Sequence, residues 1–192
     1  MPVPMADSPL FIRFLLVKEV LADFEKEMKS QGKSLFRKTG LGYWGTSNAY
    51  DLFDFFQKIH LEQYRHFLDL GSGDGRMVFI ASLFTKASGI EMDDELYAES
   101  TRLQKIILAR KTVPEKNITL IHGDFMAHSF SAYDFLMSYY DKAFTPELEA
   151  KIQGEFKGDF YLYNNIYTPG IMKKGKTVWI GQMPIIKFEV RS

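Results

Sequence analysis

The chain has 192 residues, 46% of them hydrophobic, which suits one domain with a full core. Its 24 lysine and arginine residues balance 24 aspartate and glutamate residues, and this neutrality gives no support for a nucleic-acid partner. The absence of cysteine excludes disulfides, thiolate metal sites and cysteine nucleophiles. Because the sequence also lacks the pattern of a secretory signal, we expect a cytoplasmic protein.

The first predicted element is an amphipathic helix over residues 10–28, where apolar residues recur at three- and four-residue steps. Arg13 interrupts its apolar run, so we expect no membrane-spanning segment, which needs about 20 mostly apolar residues. We expect the apolar stripe to pack on the domain or on a second copy of the chain. Peripheral contact with a membrane is the alternative, since Phe11, Ile12 and Leu15 widen the stripe. The sequence does not predict an oligomeric state.

A glycine-containing loop over residues 30–45 is predicted next, which divides the chain into an N-terminal unit, 1–45, and a main domain, 46–192. The main domain alternates strands and helices, which predicts an α/β fold of the Rossmann-like, three-layer α/β/α type with a mostly parallel sheet. Its last two strands are expected to form an antiparallel hairpin, with a tight turn near Pro184. The predicted helices are 49–59, 76–84, 94–109 and 146–156, and the predicted strands are 66–70, 87–91, 118–121, 133–140, 159–163, 177–182 and 185–191.

The most informative segment is the string F-L-D-L-G-S-G-D-G-R at residues 67–76, where an apolar strand meets three alternating glycines and then a helix. Glycines permit a tight turn and let a ligand approach the backbone closely. Dinucleotide-binding folds prefer the spacing G-x-G-x-x-G, with a pyrophosphate at the helix start. Here Asp69 and Asp74 would repel a pyrophosphate but attract a ligand that carries an ammonium and a sulfonium. This charge pattern favours S-adenosylmethionine over NAD as the cofactor, with a purely structural turn as the alternative.

Two further strand ends carry suitable side chains. Glu91 ends the second strand of the main domain, about 20 residues after the glycines, where a carboxylate can bind both ribose hydroxyls. Met92 can lie against an adenine ring, Asp124 can accept a hydrogen bond from its amino group, and Phe125 can pack on it. A helix cap is the other interpretation of Asp124. The predicted cofactor-binding residues are Asp69, Gly71, Ser72, Gly73, Gly75, Glu91, Met92, Asp124, Phe125 and Ser138.

On these residues the sequence resembles the class I, seven-stranded S-adenosylmethionine-dependent methyltransferases, over about residues 43–190. The resemblance implies methyl transfer by a Rossmann-like domain whose last strand is reversed. More narrowly, the strings D-L-G-S-G-D-G-R at 69–76, Y-W-G-T at 43–46 and Y-T-P-G at 167–170 are similar to archaeal and mitochondrial protein lysine methyltransferases. This second resemblance implies a lysine acceptor.

Aromatic residues after the fourth strand are candidates for the acceptor channel, because aromatic faces stabilise a transferring cation. We expect Tyr139 and Tyr140 to line it, with core packing as the alternative, and Asp141 to hold or deprotonate the acceptor, with a solvated carboxylate as the alternative. These three are the predicted catalytic residues. The predicted substrate-binding residues are Tyr43, Trp44 and Asn164.

Other functions are weighed against protein lysine methylation. A small-molecule acceptor, a catalytically silent interaction module with this fold and an NAD-linked oxidoreductase are the alternatives. The N-P-P-Y or D-P-P-Y string of many base and amide methyltransferases is replaced by S-Y-Y-D at 138–141, which argues against a DNA base or glutamine as acceptor. His122 and His128 form no metal-binding pattern, so we predict no metal.

Overall fold

The computed structural model describes residues 8–39, 42–163 and 166–190. The helices are α1 (Pro9–Ser30), α2 (Ala49–Lys58), α3 (Arg76–Ala81), α4 (Asp94–Ala109) and α5 (Pro146–Glu155). The strands are β1 (Phe36–Lys38), β2 (Tyr43–Gly45), β3 (His66–Leu70), β4 (Lys86–Glu91), β5 (Ile118–His122), β6 (Phe135–Ser138), β7 (Asp159–Tyr163), β8 (Lys173–Ile180) and β9 (Met183–Glu189).

Seven strands form one sheet in the order β5-β4-β3-β6-β7-β9-β8. The five strands from β5 to β7 are parallel, whereas β9 runs antiparallel to both β7 and β8. The predicted α/β fold with a C-terminal antiparallel hairpin is therefore confirmed. The strand order reverses between β3 and β6, and in open α/β sheets the crevice at the carboxyl ends of such strands is where ligands bind.

Helices cover both faces of the sheet because successive strand residues point to opposite sides. On β3, Phe67 joins an apolar cluster built with α1 to α4, and the next residue, Leu68, joins a second cluster built with α5. The same alternation places Phe135 and Leu136 of β6 in different clusters. The molecule is therefore the predicted three-layer sandwich.

Helix α1 begins at a Ser8 cap, with Pro9 in its first turn, and packs against α3 and α4. Its apolar stripe is buried against the domain, and Phe14 also stacks on Phe53 of α2, so the expected packing on the domain is confirmed. No helix within residues 8–39, 42–163 and 166–190 combines the length and the apolar character needed to cross a bilayer. The division of the chain at residue 45 stays a prediction. The buried residues of the stripe are Phe14, Val17, Val20, Leu21, Phe24 and Met28.

Several predicted boundaries are wrong. The predicted loop over residues 30–45 contains the antiparallel pair β1–β2. The last hairpin starts at Lys173 rather than 177, because the edge strand β8 faces solvent and begins with the polar string K-K-G-K, which does not look like a buried strand. Pro184 lies inside β9, and the turn falls at Gly181, whose φ is 57°. The fourth predicted strand is shorter than expected, so Tyr139 and Tyr140 follow β6 rather than ending it.

The contact between Phe14 of α1 and Phe53 of α2 gives a test of how α1 packs on the domain. Phe14 is fully buried and stacks on Phe53 of α2 with ring centroids 4.2 Å apart. We expect Phe14→Ala to lower the free energy of unfolding by about 3–5 kcal/mol, because it leaves a cavity. The control Ile12→Ala removes a side chain that is 50% exposed on the same helix and should cost less than about 0.5 kcal/mol. Urea unfolding measures both values, and similar losses for the two variants would contradict the packing of α1.

Candidate functional site

A cavity of about 260 Å³, here called the strand-end cavity, lies where β3, β4 and β6 reach the carboxyl edge of the sheet. Most of the side chains predicted for the site meet there, although they come from distant parts of the sequence. The predicted residues that line it are Tyr43, Trp44, Gly71, Glu91, Met92, Asp124, Phe125, Tyr139, Tyr140 and Asp141. Asn164 lies outside the described residues.

The turn between β3 and α3, residues 71–75, reaches the strand-end cavity through Gly71 and needs its glycines for two different reasons. At Gly71, φ is 77° and an added Cβ would meet no atom within 4 Å, so the backbone is open to a ligand. At Gly73, φ is 55° and an added Cβ would lie 2.7 Å from the indole of Trp44. Trp44 is buried against this turn, so the structure places it over the glycines as well as along the cavity.

Glu91 fastens the end of β4 to the glycine turn. One carboxylate oxygen accepts a hydrogen bond from the Gly73 N–H at 2.7 Å, and the other accepts from the N–H groups of Met92 and Asp93 at 2.9 and 2.8 Å. The side chain is buried but lines the strand-end cavity. Because each carboxylate oxygen has two lone pairs, Glu91 can hold the turn and still accept from a ligand hydroxyl.

Asp69 lies behind the cavity wall, in the interior. Its side chain is fully buried, and its Oδ1 atom has no hydrogen-bond partner. Burial, together with the nearby charges of Glu91 and Asp74, raises the pKa of Asp69 well above its usual value. Ser72, Gly73, Gly75 and Ser138 also do not line the strand-end cavity. Ser138 donates a hydrogen bond to the carbonyl of Leu70 at 2.8 Å and so ties β6 to the end of β3.

The rest of the cavity lining includes both apolar and acidic groups. Met92 and Phe125 line the cavity together with Leu96, a residue for which the sequence predicted no role. Asp124 lines it too, while its carboxylate accepts from the Met126 N–H at 2.8 Å and caps a short 3-10 turn. The interpretation of Asp124 as a cap is therefore confirmed, and its hydrogen bond to the adenine amino group stays a prediction.

Two segments meet over the cavity. The carboxylate of Asp141, in the loop after β6, accepts a hydrogen bond from the N–H of Tyr43 in β2. This contact joins the β1–β2 pair to the loop that carries Tyr139 and Tyr140. Burial and the charges of Asp141 and Asp124 raise the pKa of Tyr140, which therefore stays protonated at neutral pH.

The arrangement fits S-adenosylmethionine. Glu91, Asp124 and Asp141 line the strand-end cavity against a single lysine, Lys142, and the unpaired Oδ1 of Asp69 lies behind it. An acidic cavity with an open glycine turn and apolar patches suits a cation that bears an adenosine. Within the described part of the chain, no cluster of three potential ligands for a metal ion occurs. The fold and the site together define a class I S-adenosylmethionine-dependent methyltransferase.

Residues 38–156 match the family described as "Histone methylation protein DOT1", and the chain belongs to this family. No curated protein matches the chain.

Solved structures of methyltransferases share the fold. An RNA methyltransferase from Salinibacter ruber, solved with S-adenosyl-L-homocysteine, is 17% identical with a TM-score of 0.58, and the match covers 76% of this chain and 94% of the other. A mitomycin 7-O-methyltransferase is 10% identical with a TM-score of 0.57, over 74% and 53%. A 16S rRNA methyltransferase from T. thermophilus, solved with AdoMet and guanosine, is 15% identical with a TM-score of 0.54, over 77% and 44%. These likenesses show the shared fold, and the family match over residues 38–156 makes the chain an S-adenosylmethionine-dependent methyltransferase.

Glu91 gives a direct test of the site. Its replacement Glu91→Gln keeps the shape of the side chain but removes its charge and one acceptor oxygen, so we expect cofactor affinity to fall about 10- to 100-fold. Calorimetry with S-adenosylmethionine measures this change. The control Glu95→Gln alters a carboxylate in the first turn of α4 that is 74% exposed and paired with Arg37, and should change affinity less than about twofold. Equal affinities for Glu91→Gln and the unchanged protein would exclude Glu91 from the site.

Asp69 gives a test with a pH dependence. Its pKa is raised in the folded state, so the folded protein binds more protons than the unfolded chain, whose aspartates titrate near pH 4. The stability of the protein should therefore fall as the pH rises from about 4 through the raised pKa. We expect Asp69→Asn, which cannot ionise, to be more stable than the unchanged protein at pH 8, with a smaller difference at pH 5. Urea unfolding at both pH values decides, and a constant difference would contradict the buried carboxyl.

Proposed function

We propose that this methyltransferase modifies lysine side chains of a protein. The family description, histone methylation, is one support. The observation that carries the proposal is a second cavity, of about 520 Å³, that shares Tyr139 with the strand-end cavity. It is called the side cavity here. A methyl acceptor must reach the cofactor from outside the cofactor's own cavity. Tyr139 lines both cavities, so the side cavity lies next to the strand-end cavity.

The side cavity has the chemistry that a lysine side chain needs. Phe36, Tyr139 and Tyr163 supply aromatic faces, and Tyr139 meets Tyr163 edge-on with centroids 5.5 Å apart. Such faces accommodate the aliphatic stem and attract the cationic end. Asp51 of α2 supplies a carboxylate.

Exposed aromatic rings at the side cavity and at the strand-end cavity favour a macromolecular acceptor over a small one. Phe36 is 61% exposed and Tyr43 is 54% exposed, and their rings stack in parallel with centroids 5.5 Å apart. Phe36 lines the side cavity and Tyr43 lines the strand-end cavity. Exposed aromatic residues beside a site are typical of surfaces that bind another protein.

Bound S-adenosylmethionine supplies an activated methyl group on a sulfonium. The residues of this chain must bind, orient and deprotonate the acceptor, because a free lysine has a pKa near 10.4 and its neutralisation at pH 7 costs about 4.6 kcal/mol. Burial and the charge of Asp54 raise the pKa of Asp51, which makes Asp51 a stronger proton acceptor than an exposed aspartate. We infer that Asp51 holds the ammonium and takes up its proton. The carboxylate of Asp141 accepts a hydrogen bond from the N–H of Tyr43 and so holds β2 in place at the strand-end cavity.

Labelling tests the acceptor class. The protein is incubated with tritiated S-adenosylmethionine and, separately, with core histones and with an extract of cells that lack its gene. We expect label in protein, and mass spectrometry of the digested product should place a methyl group on a lysine. Label confined to RNA or to small molecules would overturn the proposal, while the cofactor assignment would stand.

A matched pair of variants tests the side cavity with the labelled protein as acceptor. We expect Asp51→Asn to raise the KM for the acceptor about tenfold, since a hydrogen-bonded charge is lost, and to lower kcat, since the proton acceptor is lost, without changing cofactor affinity. Asp23→Asn, on α1 and paired with Lys26, lines neither cavity and serves as the control. Equal KM values for the two variants would remove Asp51 from the acceptor site.

A further inference from the structure

A buried arginine at the start of α3 joins three separate segments of the chain. Arg76 is 4% exposed, and its guanidinium donates to Asp74 in the glycine turn, with Nε and Nη2 2.9 and 2.6 Å from the carboxylate oxygen Oδ2. Its Nη1 atom donates to Glu25 of α1 at 2.9 Å and to the carbonyl of Ser47 at 2.8 Å. The sequence predicted no role for Arg76 beyond its place after the third glycine.

The charges in this cluster are fixed. Burial alone would lower the pKa of Arg76, but the carboxylates of Asp74 and Glu25 raise it above its ordinary value, so the guanidinium stays charged. A buried ion pair adds little net stability, because both charges lose their hydration. A planar guanidinium does, however, hold several partners in one geometry. The cluster is therefore better suited to positioning than to stabilising the fold.

The partners of Arg76 connect it to both cavities. Asp74 lies between Gly73, whose N–H reaches Glu91, and Gly75, where α3 begins. A displacement of Asp74 would therefore move this turn, whose first residue, Gly71, lines the strand-end cavity. Ser47 precedes Asn48, the cap of α2, and lines the side cavity. Glu25, the third partner of Arg76, belongs to α1, a helix that lines neither cavity.

We propose that Glu25 and Arg76 are positioning residues for cofactor binding. Helix α1, through Glu25, holds Arg76, and Arg76 holds the glycine turn in the shape that binds S-adenosylmethionine. Docking of α1 and binding of the cofactor are then coupled. Because coupling between two sites is reciprocal, the bound cofactor also holds α1 more firmly in place. This proposal does not depend on the identity of the methyl acceptor.

The test compares two ion pairs of the same helix in the full-length protein. Glu25→Ala removes the pair with Arg76. The control Glu19→Ala removes a pair of α1 with Arg110 after α4, at 2.8 Å, that does not touch the glycine turn. Calorimetry with S-adenosylhomocysteine should give a Kd raised about tenfold for Glu25→Ala and less than about twofold for Glu19→Ala. Equal Kd values would overturn the proposal.

Hydrogen exchange supplies a second readout, which a merely structural role would not move. S-adenosylhomocysteine should slow amide exchange in α1 of the unchanged protein and of Glu19→Ala, but not of Glu25→Ala. If Glu25→Ala does not fold, the isosteric variants Glu25→Gln and Glu19→Gln allow the same comparison. Protection of α1 by the ligand in the Glu25 variant would also overturn the proposal.

Discussion

The hydrogen bond from the Gly73 N–H to the carboxylate of Glu91 joins the glycine turn after β3 to the end of β4. Both groups are buried, so the bond is protected from competition with water. It holds the turn beside the end of β4, and so fixes the position of Gly71, which lines the strand-end cavity. The Trp44 side chain, packed on Gly73, fixes the same turn from the other side. The remaining parts of the site are arranged around this contact.

Charge around the turn is distributed unequally. Asp74 has its own cation in Arg76, whereas Asp69 has no cation beside it and keeps one oxygen without a partner. A buried carboxylate without a partner lowers stability, and such groups are found where a protein binds a charged ligand. The buried carboxyl of Asp69 is thus a cost to the fold.

The proposed acceptor side follows from contacts between segments that lie far apart in the sequence. The β1–β2 pair reaches the loop after β6 through the hydrogen bond between Tyr43 and Asp141. The same strands present Phe36 and Tyr43 to solvent as a stacked pair. In our proposal one small hairpin therefore closes the cofactor cavity and forms the mouth for the acceptor.

Local patterns determined the fold and the cofactor, because both depend on features within about ten residues: apolar strands, helices at their ends and the string D-L-G-S-G-D-G at 69–75. They missed the hairpin β1–β2 and the start of β8, which are short or polar and form through pairing with a distant partner. Only the tertiary structure decided that Arg76 joins α1 to the glycine turn and that Asp51 lies beside Tyr139 in one cavity. Such contacts depend on how helices pack across tens of residues, which no local spacing records.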